Sequence, residues 1–215
     1  MIEIAPSVLA ADTLRIGEEV QGVLDAGADM LHVDIMDAHF VPNLSYGPDL
    51  CRALRRGFPD IRQDVHLMMD NPEHYIEAFA AAGANEITIH VELGEKILQA
   101  IEHIKSLGCK AGLSVKPGTP ADSLLPYLSL IDLILIMTVE PGFGGQKMMP
   151  EQLDKAAFLR EKGFCGIISA DGGIGPDNAE PAIKKGVTRL VMGTSLFRAP
   201  DAALAVAKIR ALETL

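Results

Sequence analysis

Apolar positions along this chain follow two alternating patterns. Short runs rich in β-branched residues recur at 2–8, 30–36, 63–68, 86–91, 110–115, 132–138, 166–171 and 188–192. Between and after them, at 13–26, 47–56, 72–82, 94–107, 121–128, 151–162, 176–185 and 201–212, the apolar residues return at helical spacing. Asn71-Pro72 and Gly175-Pro176 mark helix starts, and Gly27, Gly83, Gly108, Gly163 and Gly186 mark helix ends. Strands that alternate with helices pair in parallel through crossovers, and strands this uniformly apolar are covered on both faces. Eight such units in 215 residues predict an α/β chain folded as a (β/α)8 TIM barrel, one domain spanning 1–215. An open doubly wound sheet fits less well, because Ala5-Pro6-Ser7-Val8 stands where a glycine-rich dinucleotide turn would follow the first strand. A short internal repeat supports the unit structure: Ala26-Gly27-Ala28-Asp29 precedes the second strand, and Ala82-Gly83-Ala84-Asn85 precedes the fourth.

Within a strand, residues two apart share a face. In the second strand Leu31, Val33 and Ile35 suit the helix side, which points His32, Asp34 and Met36 into the barrel. The third strand does the same with His66 and Met68 opposite Val65 and Leu67, and the seventh ends in Asp171-Gly172-Gly173. An imidazole or carboxylate aimed into a core is costly unless paired or metal-bound. His32, Asp34, His66 and Asp171 together make a four-ligand set for one divalent ion, whose mixed N/O donors suit Zn, Mn, Fe or Co rather than Ca or Mg. The alternative is hydrogen-bonded core histidines with capping aspartates. His39, His74 and His103 read as solvated, and His90 as a polar pore-facing residue rather than a ligand.

Composition changes the picture in one respect. The net charge is −10, which repels nucleic-acid backbones and anionic lipid, so neither nucleic acid nor membrane is an expected partner. No apolar run approaches the ~18 residues of a membrane span, and the Met1-Ile2-Glu3-Ile4 start shows no secretory pattern. Cys51, Cys109 and Cys165 form no CxxC pair and read as free thiols, so a cytoplasmic location is expected. An anionic ligand would need a local positive site, and the chain offers one without a cationic cluster. Pro141-Gly142-Phe143-Gly144-Gly145-Gln146, Gly172-Gly173-Ile174-Gly175 and Gly193-Thr194-Ser195 follow the sixth, seventh and eighth strands. Glycine loops let backbone N–H groups converge on an anion, helix N-termini add partial positive charge, and barrels seat phosphate at this rim.

These residues resemble the ribulose-phosphate 3-epimerase family over essentially the whole chain. The resemblance is carried by Ala5-Pro6-Ser7, the run from His32 to Asn43 (HVDIMDAHFVPN), Asp64-Val65-His66-Leu67-Met68, the Pro141–Gln146 loop and Asp171-Gly172-Gly173-Ile174. It implies a metal-dependent isomerase of carbohydrate metabolism in the pentose phosphate pathway, interconverting D-ribulose 5-phosphate and D-xylulose 5-phosphate. His32, Asp34, His66 and Asp171 would hold one divalent metal, zinc first, with Mn, Fe or Co as other fits. Asp34 and Asp171 would be the acid/base pair, working on opposite faces of C3 through a metal-stabilised enediolate. Ser7 and His66 would touch the sugar, Met36, Met68 and Met137 would line the pocket, and Gly142, Phe143, Gly144, Gly145, Gly172, Gly173, Gly193 and Thr194 would surround the phosphate. Barrels of this type assemble through outer helices, so a homo-oligomer is expected.

The sequence departs from the family pattern at Ala38 (usually glycine), Glu140 (asparagine), Ala170 (valine), Lys116-Pro117 (Asn-Pro) and Gly193-Thr194 (Gly-Ser). Met137-Thr138-Val139 and Gly193-Thr194-Ser195 look like the allulose-6-phosphate 3-epimerases, which makes that hexulose phosphate the alternative substrate. A related lyase or decarboxylase would carry a lysine where Met36 stands, and a non-catalytic sugar-phosphate binder would not need two carboxylates on a metal.

Overall fold

The computed structural model describes residues 1–214. Strands β1 (Glu3–Pro6), β2 (Met30–Met36), β3 (Arg62–Met68), β4 (Glu86–His90), β5 (Lys110–Val115), β6 (Leu133–Met137), β7 (Ile167–Asp171) and β8 (Arg189–Met192) alternate with helical crossovers. The helices are α1 (Ile16–Asp25), α2 (Pro48–Gly57), α3 (Ile76–Ala81), α4 (Ile97–Ser106), α5 (Asp154–Glu161), α6 (Ala179–Lys184), α7 (Thr194–Phe197) and α8 (Ala202–Ala211). All strand pairs are parallel, in the order β1-β8-β7-β6-β5-β4-β3-β2, and a parallel bridge between Ser7 and His32 joins β1 to β2. The barrel expected from the sequence is the fold, and β2 and β7 stand three places apart around it.

Two elements differ from expectation. The fifth crossover is a 3-10 helix, Ala121–Tyr127, rather than an α-helix. Pro126 sits inside it with no N–H to give to an α-helical ladder. Helix α7 has no counterpart in the apolar pattern; it is one four-residue turn between β8 and α8.

The faces divide as the alternation requires. Leu31, Val33, Ile35, Val65 and Leu67 join the large core between sheet and helices. Ala5, Met30, Leu135, Met137 and Val191 form a smaller cluster on the inner face. Met36, Val41 and Met68 form another, covered by Leu9 and Phe40. At the N-terminal end of the strands the barrel is plugged by charge. Fully buried Arg189 donates to Glu3 Oε2 at 2.9 Å, Glu86 Oε2 at 2.6 Å and Asp64 Oδ2 at 3.2 Å. Each buried charge there has a partner, the condition under which burial is tolerated.

The internal repeat is a clamp on the strand starts. Gly27 and Gly83 both take positive φ (102° and 105°) at helix ends. Two residues on, Asp29 accepts from the N–H of Ile4 at 2.7 Å, and Asn85 from the N–H of Gln63 at 2.8 Å. An arginine closes each clamp: Arg210 on Asp29, and Arg55 on Asn85 and the Gly83 carbonyl.

Among the described residues Ala38 is the single non-glycine at positive φ, 61°, in the turn after β2. Asp37 shapes that turn by accepting from the N–H groups of His39 (2.8 Å) and Phe40 (2.9 Å). A left-handed conformation costs an L-residue ~1–2 kcal/mol, partly offset by the greater unfolded-state freedom of glycine. Ala38→Gly should therefore raise Tm by about 2–4 °C in calorimetry, the shift expected for ~1 kcal/mol in a chain of this size. An unchanged or lower Tm would show that the turn carries no strain.

Among the described residues no helix is long and apolar enough to cross a membrane. Cys51 and Cys109 are buried and Cys165 is exposed, all as free thiols.

Candidate active site

The middle of β2, the C-terminal half of β3 and the end of β7 bring four side chains together. One ligand atom each from His32, Asp34, His66 and Asp171 can be chosen so that all lie within 4.8 Å of one another. Asp34 stands at the centre. Its Oδ1 lies 3.2 Å from His32 Nε2 and 3.1 Å from His66 Nδ1, while its Oδ2 accepts from the Ser7 hydroxyl at 2.6 Å. Each imidazole has a second partner. Nδ1 of His32 lies 3.0 Å from Asp64 Oδ2, and Nε2 of His66 lies 2.9 Å from Nε2 of His90. Asp171 is fixed through its backbone: the Thr138 hydroxyl donates to the carbonyls of Asp171 (2.9 Å) and Gly172 (2.7 Å).

The electrostatics separate the two carboxylates. Burial alone would raise Asp34, but the charge of His32 and the hydrogen bonds from His32 and His66 hold it far below the usual carboxylate range. For Asp171, burial and the neighbouring Asp34 charge outweigh the pull of His32 and push it up to about 7. Burial opposes charge on His32, but Asp34 and Asp64 overcome it and raise the imidazole well above its ordinary value. One ionised and one proton-holding carboxyl on a common site is the arrangement from which acid and base roles are read. The donor set, two imidazoles and two carboxylates, is mixed in N and O and brings two acidic groups together, so these four residues could hold one metal ion.

Above the cluster opens a cavity of about 300 Å³. Ser7, Asp34, Met36, Met68, Met137 and Asp171 line its floor and walls, with Gly142, Phe143, Gly144, Gly145, Gly172, Gly173, Gly193 and Thr194 toward the rim. His32 and His66 are fully buried beneath it and are not among its lining residues. Among the described residues no lysine or arginine lines the cavity either. An anion seated there would rely on backbone N–H groups, since α7 is too short to add much dipole. Gly173 shows why glycine is required: its φ is +64°, and a Cβ would sit 2.5 Å from Met148 N and 2.6 Å from Gln146 O. Asn43 ties the loop after β2 across to the loop after β6 by donating to the Gly142 carbonyl at 2.6 Å.

Sequence reasoning misses three participants. Asp64 shares a face with His66 two residues on, so its inward aim is readable from the same alternation. Thr138 belongs to the stretch that suggests a hexulose substrate; the structure instead commits its hydroxyl to the β7 backbone, and it does not line the cavity. His90 faces the pore as expected, yet its contact with His66 depends on the β3–β4 register and leaves no signal in the sequence.

A parallel barrel with an electrostatically split carboxyl pair under a glycine-walled cavity is an arrangement suited to an enzyme that moves protons. Comparison with known proteins narrows the class. A model of the ribulose-phosphate 3-epimerase family matches residues 3–197. Ribulose-phosphate 3-epimerase of Synechocystis sp. is 45% identical over 217 aligned residues, covering 97% of this chain and 93% of its own. The enzyme of that name from Mycobacterium tuberculosis is 44% identical, covering 96% and 91%. The chain belongs to the ribulose-phosphate 3-epimerase family. Among solved structures, KGPDC from Streptococcus mutans superposes with a TM-score of 0.74 at 16% identity, covering 100% of this chain and 98% of that one. 3-Hexulose-6-phosphate synthase gives 0.72 at 18%, covering 99% of each. At such identities the likeness is one of fold.

Proposed function

We propose that this chain interconverts D-ribulose 5-phosphate and D-xylulose 5-phosphate by moving a proton at C3, with Asp34 and Asp171 as the two proton-transfer groups. The supporting observation is that these carboxyls reach one cavity floor from strands three places apart, one held ionised and the other held near neutral pH. Inverting a carbon α to a ketone requires a proton to leave one face and another to arrive at the opposite face. Asp34 is poised to accept and Asp171 to give, and the roles exchange in the reverse direction. Ser7 steadies Asp34 through its 2.6 Å hydrogen bond. Met36, Met68 and Met137 exclude water beside the reacting carbon, which strengthens the electrostatics there. A divalent cation held by His32, Asp34, His66 and Asp171, zinc first with Mn, Fe or Co as other fits, would supply Lewis-acid stabilisation of the charge that develops on the ketose.

The phosphate end is assigned to the loops around Gly142–Gly145, Gly172, Gly173, Gly193 and Thr194. Free ribulose should lose kcat as well as KM, because binding energy from a remote group is used to orient the reacting carbon. Comparable kcat/KM for free and phosphorylated ribulose would remove phosphate from the assignment. The substrate length is tested by kcat/KM measured side by side on ribulose 5-phosphate and allulose 6-phosphate. The pentulose should lead by ~10-fold or more, the scale on which a pocket discriminates one carbon unit; a preference for the hexulose would overturn the choice. The reading is completed by a cytoplasmic location, which suits the three free thiols, and by homo-oligomerisation, which would cover exposed apolar side chains such as Leu14 and Leu44.

A further inference from the structure

Strand β1 leaves the barrel wall early. It ends at Pro6, the chain bridges β2 once more at Ser7–His32, and it then turns into a 3-10 helix at Val8–Ala10. That departure opens the part of the cavity wall formed by Ser7, Leu9 and Ala10. It also leaves the neighbouring edge of β2 without a strand partner from Asp34 to Met36. Backbone groups of a strand with a neighbour on each side point to the two neighbours in alternation. Asp37 sends its N–H to the Met68 carbonyl of β3 at 3.3 Å, so Met36 and Asp34 turn theirs to the β1 side. Both residues are buried, and buried backbone N–H and C=O groups need partners.

Ser45 supplies those partners. Its Oγ donates to the Asp34 carbonyl at 2.7 Å and accepts from the Met36 N–H at 3.0 Å, so one hydroxyl satisfies both groups. Its own N–H donates to the Met36 carbonyl at 3.4 Å. The loop after β2 doubles back to bring it there: Leu44 pairs antiparallel with Asp37, and the Ala38 N–H donates to the Asn43 carbonyl at 3.0 Å. Ser45 thus stands where β1 would have continued. We propose that Ser45 is a positioning residue for the reaction, a one-residue substitute for the missing strand that fixes the backbone of Asp34 and with it the placement of the carboxyl. The inference rests on the proton-transfer role given to Asp34 above.

Two serines therefore hold Asp34 at two points. The Ser7 hydroxyl grips Oδ2 at 2.6 Å, and the Ser45 hydroxyl grips the main-chain carbonyl. Ser45 is half-buried and is not among the residues that line the cavity, so it reaches the reaction through β2 rather than by contact with substrate. The same hydroxyl holds the N–H of Met36, whose side chain is part of the cavity wall. The link from this loop to the glycine loops is made by a different residue, Asn43 on the Gly142 carbonyl. Loss of the Ser45 hydroxyl should consequently be felt at the reacting carbon more than at the far end of the substrate. Misplacing a reacting group by about 1 Å can cost ~10²-fold in rate.

Two substitutions separate this role from simple stabilisation of the loop. In Ser45→Ala, assayed at saturating zinc and well below Tm, kcat on ribulose 5-phosphate should fall by about 10–100-fold with KM nearly unchanged. Ser45→Thr keeps a hydroxyl that can donate and accept at once, and should recover most of that loss. Amide hydrogen exchange of the metal-free protein, followed by 15N NMR, reads the backbone contact itself. The Met36 amide should exchange at least ~10-fold faster in Ser45→Ala than in the wild type, while the Asp37 amide, bonded to Met68, keeps its protection. A lower Tm with kcat intact, a rise in KM in place of a fall in kcat, no recovery in Ser45→Thr, or an unchanged Met36 exchange rate would overturn the proposal. A wild type without epimerase activity would overturn the role of Asp34 instead, and the exchange rates would still judge the contact.

Discussion

Asp34→Asn and Asp171→Asn should each abolish epimerisation while the barrel remains folded. Asparagine keeps the shape of the side chain but cannot carry the proton, and loss of a positioned proton-transfer group costs roughly 10²–10⁴ in rate. Each substitution also weakens the four-residue cluster, so the measured loss should lie at or beyond the upper end. The two variants differ in stability. Asp34 is central, with Ser7, His32 and His66 all bonded to its carboxyl, so Asp34→Asn disturbs three partners. Asp171→Asn removes a carboxyl that burial and Asp34 already penalise, and in the metal-free protein should leave the melting temperature equal or higher. Steady-state kcat with circular dichroism and thermal melting checks both. Near-normal turnover in either variant would leave the reaction with a single base.

Exhaustive chelation is expected to have the next largest effect, reducing kcat to background, with activity restored by zinc, manganese, iron or cobalt. Metal binding to the folded state alone stabilises it by ~4 kcal/mol when the ion is present at about a thousand times its Kd, so chelation should lower Tm as well. Uptake should strengthen as pH rises. Asp171, at about 7, and His32, raised well above its ordinary value, must give up protons to the incoming ion. Apparent affinity therefore falls as pH drops through about 7. Full activity in metal-free protein would remove the cation from the reaction, and a pH-independent affinity would mean that these protons do not compete with it.

The β/α order is legible because burial on both strand faces leaves a chemical trace, runs rich in Val, Ile and Leu. The same alternation exposes His32, Asp34 and His66 as residues aimed the wrong way for packing. Asp171 and the glycine loops are legible by position, at the end of a strand beneath the rim. The crossover at Ala121–Tyr127 reads as an α-helix because its apolar spacing suits one, and a single proline decides otherwise. His90 and Thr138 act through contacts between neighbouring strands or loops, set by register, and nothing local in the sequence carries that information.

Two carboxyls working on opposite faces of one carbon leave an isotopic signature. It is read by running the interconversion in D2O and examining C3 of the newly formed epimer by NMR. Two bases predict that product formed in the first turnovers carries solvent deuterium at C3, because the proton that leaves on one side is not the one that returns on the other. Product that retains the substrate's own hydrogen at C3 would show one group carrying it across, and would contradict the two-base reading.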